Sequence, residues 1–117
     1  MKPNKALSML GMAMRAGKLI TGDEIVLKAV RGRKAHLVII AQDASDNTKK
    51  KFADKCGTYG IQLAEAFHRE QLGKAIGKSE RVVLAVTDVQ FGKMISHHLS
   101  QNTEVDSIEQ QTGEQGQ

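Results

Sequence analysis

Two stretches of the chain carry glycine and lysine at spacings that suggest a phosphate cradle. Gly73-Lys74-Ala75-Ile76-Gly77-Lys78-Ser79 ends in the Gly-Lys-Ser of nucleotide-hydrolase loops, but its glycines stand one residue too close. Its context is also reversed. Such a loop leaves a strand and enters a helix, so that N–H groups at the helix start meet the phosphates. Here the segment leaves a helical pattern and enters an apolar run. Gly11 to Gly17-Lys18-Leu19 has one residue too many and puts Leu19 where a hydroxyl must reach magnesium. His97 and His98 are adjacent, so on a helix they diverge by about 100° and are not placed to share a metal. Cys56 is the only thiol, has no histidine at a motif spacing, and reads as structural. No serine sits in a nucleophile elbow and no carboxylate pair stands out. The expectation is a non-catalytic protein with no cofactor and no metal.

What remains is charge. The chain has 17 Lys+Arg against 13 Asp+Glu, a net of +4. After Ser100 it reads QNTEVDSIEQQTGEQGQ, with acids at Glu104, Asp106, Glu109 and Glu114 and no base. Setting those four aside leaves nine acids against 17 bases, a net of +8 over residues 1–100. A small domain with that charge favours polyanions. One Tyr, three Phe and no Trp argue against base stacking on aromatic platforms, so a nucleic-acid partner would be read as a folded shape.

The elements that must position these residues follow from pattern. Asn4 caps a helix to about Ala16, with Leu7, Leu10 and Met14 on one face and Gly17 as its stop. Leu19-Ile20 is at most a short strand. Thr21-Gly22-Asp23-Glu24 has the form of a capping box, opening a helix that runs through Ile25, Ala29 and Val30 to Gly32. His36–Ala41 is a continuous apolar run, as in a strand buried on both faces. Ser45 or Asp46 caps a third helix, basic at Lys49, Lys50 and Lys51 and closed by Gly57. Ile61–Ala64 is a second buried strand, His68–Ile76 a short helix ended by Gly77, and Arg81–Val86 another apolar strand. Asp88 caps a last helix with Phe91, Ile95 and Leu99 inward. Strands alternating with helices predict one three-layer α/β/α sandwich around a central mixed sheet of about four strands, spanning residues 1–100. Residues 101–117 are expected to form a disordered acidic tail.

A lone cysteine fits a reducing compartment. No apolar run approaches a membrane span, and Arg15 sits where a signal-peptide cleavage site needs small neutral residues. The expectation is a cytoplasmic monomer with no membrane contact.

The stretch Gly17–Asp43 (GKLITGDEIVLKAVRGRKAHLVIIAQD) resembles the kink-turn-binding family of large-subunit ribosomal proteins, the archaeal Seven-Ae and eukaryotic Thirty-e group. The shared elements are Gly22, the triplet Asp23-Glu24-Ile25, Lys28 one turn later, Leu37–Ile40 and the turn Ala41-Gln42-Asp43. Leu72-Gly73-Lys74-Ala75-Ile76-Gly77 is similar to the family's Leu-Gly-basic-Ala-apolar-Gly signature. Ala6-Leu7, Leu10–Ala13, Arg15–Leu19 and Val86-Thr87-Asp88 are most like its small bacterial YlxQ branch. The resemblance covers about residues 4–100, and order and spacing make it specific where each motif alone is weak.

The resemblance implies that the start of the second helix docks on structured RNA, ribosomal or kink-turn-like, with tandem sheared G·A pairs at an internal loop. The loop between the last helix–strand pair would close over an extruded nucleotide. Carried over, the first surface is Gly22, Asp23, Glu24, Lys28 and Arg31, and the second is Gly77 to Val82. Lys28 and Arg31 lie three apart on one helix face. Arg15, Lys18, Arg33 and Lys34 are expected to flank the same end of the molecule, and Lys74 and Lys78 complete the basic footprint. The sequence departs from the family at Glu24, where kink-turn binders carry Asn or Lys, and at Ile25, where they carry Glu or Gln. Guanine offers only acceptors to the major groove, so a Glu24 carboxylate has nothing to donate there. The same carboxylate could complete a capping box with Thr21 and pair with Lys28. Three roles follow: a ribosome-associated or assembly factor, an RNA-recognition module acting through a partner enzyme, or a protein-interaction adaptor.

Overall fold

In a computed structural model, which describes residues 4–107 and side chains as far as Ser100, nine elements alternate along the chain. They are α1 (Lys5–Arg15), β1 (Leu19–Thr21), α2 (Asp23–Arg31), β2 (Leu37–Ile40), α3 (Asp46–Tyr59), β3 (Leu63–Glu65), α4 (Arg69–Ala75), β4 (Val83–Val86) and α5 (Val89–Ser107). The four strands form one sheet in the order β1-β4-β2-β3. β4 runs antiparallel to both β1 and β2, while β3 joins β2 in parallel, so the sheet is mixed.

Alternation along β2 and β4 divides the core into two layers. Leu37 and Ile39 of β2 and Leu84 and Val86 of β4 pack with Leu10 of α1, Leu72 of α4 and Ile95 of α5. Val38, Ile40, Val83 and Ala85 turn to the other face and meet Val26 and Val30 of α2 and Phe52 and Cys56 of α3. All eight strand residues are buried, which is why both strands read as unbroken apolar runs. Each Leu, Ile or Val so buried contributes about 1.5–3 kcal/mol relative to exposure. The three-layer sandwich expected from the sequence is the observed architecture.

Several boundaries differ from expectation. β3 is an edge strand, half-buried at Leu63 and Ala64 and exposed at Glu65, not a strand buried on both faces. β4 begins at Val83, because Arg81 belongs to the preceding loop. α3 passes through Gly57 and stops at Gly60, which takes the left-handed conformation (φ 69°). A mid-helix glycine costs about 1 kcal/mol against alanine, and the burial of Phe52 and Cys56 before it, with Tyr59 packed on the same core after it, offsets that cost. Asp88 does cap α5, accepting from the Phe91 N–H at 2.9 Å. That helix, however, continues past Ser100 to Ser107. Extending a docked helix fixes one residue per hydrogen bond and costs little, so the polar sequence from Gln101 does not end it. The rest of the expected acidic tail, residues 108–117, lies outside the described residues.

Candidate nucleic-acid interface

The start of α2 is built differently from the capping box expected. Thr21 belongs to β1, pairing with Leu84, and its hydroxyl donates to the Val83 carbonyl at 2.8 Å. The sheet has claimed the side chain that was to cap the helix. Gly22 becomes the N-cap at φ 109° and ψ 139°, a conformation open to glycine and strained for any L side chain. No side chain caps α2, so its first N–H groups keep the partial positive charge of a helix start. Asp23 does not neutralise that end freely: its carboxylate is drawn sideways to the Lys51 ammonium of α3 at 3.1 Å. Glu24 is exposed, and among the described residues it makes no ion pair with Lys28.

The loop between α4 and β4 lies beside this helix start. The Gly22 N–H reaches the Val83 carbonyl at 3.5 Å, and the Ala41 N–H donates to the Val82 carbonyl at 2.8 Å. The loop is held from beneath. A Cβ on Gly73 would overlap the Ser79 carbonyl, so the Leu-Gly-Lys signature marks a place where backbone lies on backbone. Asp43, after β2, accepts from the Arg69 N–H at 3.0 Å and from its Nε at 3.3 Å, and the Arg69 guanidinium also donates to the Asp43 carbonyl. The Arg69 carbonyl then receives the Arg81 N–H at 3.1 Å, while Arg81 Nη1 donates to the Glu80 carbonyl at 2.8 Å. Desolvation pushes the Asp43 carboxyl upward, but hydrogen bonds from the Arg69 and Asp43 N–H groups and the Arg69 charge outweigh it and hold the pKa below its ordinary value.

The basic residues separate into two groups. Gly22, Asp23 and Glu24 share the upper end of the sheet with the loop Gly77–Val82. At the lower end the Lys18 carbonyl accepts the Thr87 N–H and the Val86 carbonyl accepts the His36 N–H. Nine residues of α2, a rise of ~13 Å, lead from Gly22 to that lower end. Lys18, Arg33 and Lys34 therefore lie there, and Arg15, closing α1 three residues before Lys18, is with them rather than beside Gly22. Arg33 is occupied: at φ 57° it donates to the Tyr59 carbonyl at 2.9 Å and stacks 5.6 Å over the Tyr59 ring. Lys28 and Arg31 lie between the two ends, and Lys28 shares a shallow groove with Ile25 and Lys34. Lys74 and Lys78 are exposed around the α4 C-terminus, where the Lys78 N–H closes onto the Gly73 carbonyl. The sequence reading missed Lys51 and Arg69; they stand 28 and 26 residues from their carboxylates, Asp23 and Asp43, so no local spacing signals either pair.

Among the described residues no three His, Cys, Asp or Glu side chains form a metal-binding group. The His97 and His98 rings do not diverge fully but meet edge-on at 5.5 Å. Cys56 is 2% exposed, and burial raises its thiol pKa. No helix among the described residues is long and apolar enough to cross a membrane.

The α/β/α sandwich thus gathers an uncapped helix start, a glycine turn and a pinned neighbouring loop at one end of its sheet. The sequence profile of the Ribosomal protein L7Ae/L30e/S12e/Gadd45 family matches residues 4–96, and the chain belongs to that family. The RNA-binding protein YlxQ of Bacillus subtilis (strain 168) is 46% identical over 89 residues, 75% of this chain and 89% of that protein. The YlxQ protein of Enterococcus faecium is 45% identical over 89 residues, 76% of this chain and 85% of its own. A solved structure of a protein of unknown function from Bacillus halodurans C superposes with a TM-score of 0.82 at 46% identity, covering 84% of this chain and 99% of the other. The Giardia lamblia 15.5kD RNA binding protein shares the fold, with a TM-score of 0.69 at 23% identity over 81% of this chain and 82% of its own.

Proposed function

We propose that this chain binds structured RNA, ribosomal or kink-turn-like, as a non-catalytic ribosome-associated or assembly factor acting in the cytoplasm as a monomer. The observation that carries the reading is the uncapped start of α2, turned by Gly22 beside the Gly77–Val82 loop. Free N–H groups and the helix dipole suit acceptor-rich partners, phosphate oxygens and the N7 and O6 edge of guanine among them. Gly22 admits the close backbone approach, Lys28 is the principal donor, and Arg31, Lys74 and Lys78 flank it. Withdrawal of Asp23 toward Lys51 lowers the repulsion a phosphate would meet at this end. Arg15, Lys18, Arg33 and Lys34 form a remote patch that only a longer RNA reaches. Residues 1–100 supply the binding domain, and the acids after Ser100 modulate its field. The relatives named as RNA-binding proteins support RNA as the class of partner.

One observation favours a protein-interaction adaptor on the same fold. Ile25 is 57% exposed on α2, in the groove it shares with Lys28 and Lys34. Crosslinking in cells with sequencing of bound RNA separates the readings: a defined RNA peak supports RNA binding, and its absence, with a stoichiometric protein partner recovered instead, supports the adaptor. In vitro, log K for RNA should fall linearly with log salt. A flat response, or no binding in low salt, would sink the RNA reading.

A further inference from the structure

α3 carries Lys49, Lys50, Lys51 and Lys55, and ion pairs account for two of them. Lys49 reaches Glu65 of β3 at 3.0 Å and Lys51 reaches Asp23 of α2 at 3.1 Å, fastening α3 to its neighbours on both sides. Lys50 and Lys55 make no ion pair among the described residues. The helix dipole does not explain Lys50 either, since cations are favoured near a helix C-terminus and Lys50 sits in the opening half of α3; Lys55 lies in the closing half, ahead of the last turn. With Lys51 they line a shallow groove of about 360 Å³, completed by Asn47 and Asp54. Asp54 is the one carboxylate in that lining and Asp23 meets Lys51 from beside it, so three ammonium groups stand against two carboxylates. Lys51 and Lys55 are one turn apart, a rise of ~6 Å, comparable with the step between successive phosphates of a strand. The Lys51 to Asp23 contact places the groove's edge against the first residue of α2. An RNA strand leaving the α2 start meets these lysines next.

We propose that the outer face of α3 is a second RNA contact, with Lys50, Lys51 and Lys55 holding backbone phosphates of one arm of an RNA seated on the α2 start. This rests on the RNA-binding reading above. A protein partner fits the face less well, because the exposed large apolar residues are Met12, Ile25, Val89 and Met94, none of them on α3. The contact is to phosphate, so it adds affinity and orientation without reading sequence.

The test is fluorescence anisotropy of the full chain and its Lys50→Ala/Lys55→Ala variant with a kink-turn RNA, once with long duplex arms and once with arms of a few base pairs. Lys50 is exposed, Lys55 is half-buried and neither is ion-paired among the described residues, so the melting temperature of the variant should stay close to wild type. On the long-armed RNA at low salt the variant should bind about tenfold more weakly, with a salt slope shallower by about 1–2. On the short-armed RNA it should bind as wild type does. Lys50→Glu/Lys55→Glu should widen the long-arm difference. Unchanged affinity and slope on the long-armed RNA, while Lys28→Ala still weakens binding, overturns the α3 contact alone. Equal weakening on both RNAs also overturns it, since that reports a general field. If wild type binds neither RNA at low salt, the RNA reading falls and takes this contact with it.

Discussion

Glu24 and Lys28 stand one turn apart on the exposed side of α2, yet no ion pair joins them among the described residues. The local explanation for Lys28, a helix pair worth ~0.2–0.5 kcal/mol, is therefore weaker than the sequence suggested. Lys28→Ala should leave the melting temperature unchanged and cost about 1–3 kcal/mol in RNA affinity if the ammonium reaches a guanine edge or a desolvated phosphate. Glu24→Asn restores a donor and removes a charge that repels phosphate. It should tighten binding to a kink-turn RNA about tenfold, ~1.4 kcal/mol, while leaving a plain duplex unaffected. The fold should tolerate it, because Gly22 makes the turn and Glu24 is exposed. Anisotropy with both RNAs reads the two variants together. If neither changes kink-turn affinity, the α2 start is not the contact. The exposed position of Lys28 on α2 was legible from spacing; the partner of Asp23 was not, since Lys51 comes from an element 28 residues on.

At the scale of elements, the core strands were legible because burial on both faces leaves nothing polar in β2 and β4. The errors share one cause: tertiary pairing outbids a local signal. Thr21 and Glu24 spell a capping box, but the ladder with β4 takes Thr21 into the sheet. Gly57 looks like a helix stop, but packed neighbours carry α3 through it. β3 looks buried from its composition, but sheet order leaves it at an edge. The loop beside α2 depends in turn on two supports that sequence could not connect. Gly73→Ala sets a methyl against the Ser79 carbonyl, so it should lower the melting temperature and weaken RNA binding together. Retention of full affinity in a destabilised variant would show that the loop does not touch RNA. The Asp43–Arg69 clasp should add a pH dependence. The folded pKa of Asp43 is lowered, so its stabilisation is present above the ordinary carboxylate range and is lost as pH falls through the folded value. Asp43→Asn should flatten the acid limb of melting temperature against pH, below about pH 4, and an acid limb identical to wild type would assign that limb to other carboxylates.

For the whole molecule, the distribution of charge matters more than its sum. The domain to Ser100 has a net of +8, whereas the full chain has +4, because every residue type after Ser100 is neutral or acidic. Two of those acids, Glu104 and Asp106, ride on the last turns of α5; Glu109 and Glu114 come after it. A chain ending at Ser107 keeps the helix intact and loses two negative charges. Charges that act through solvent are screened within ~8 Å at physiological salt, so the truncation should tighten RNA binding severalfold in low salt and by nothing measurable near 0.5 M. A chain ending at Ser100 removes all four acids and shortens α5, so it separates charge from packing. If only charge matters, its affinity gain in low salt should be about twice as large on a logarithmic scale, with little change in melting temperature. A marked drop in melting temperature for the Ser100 chain alone would show that the last turns of α5 stabilise the domain. An affinity gain that persists at high salt would mean that the acidic segment occupies the RNA surface directly, competing for the same lysines by contact rather than through the field.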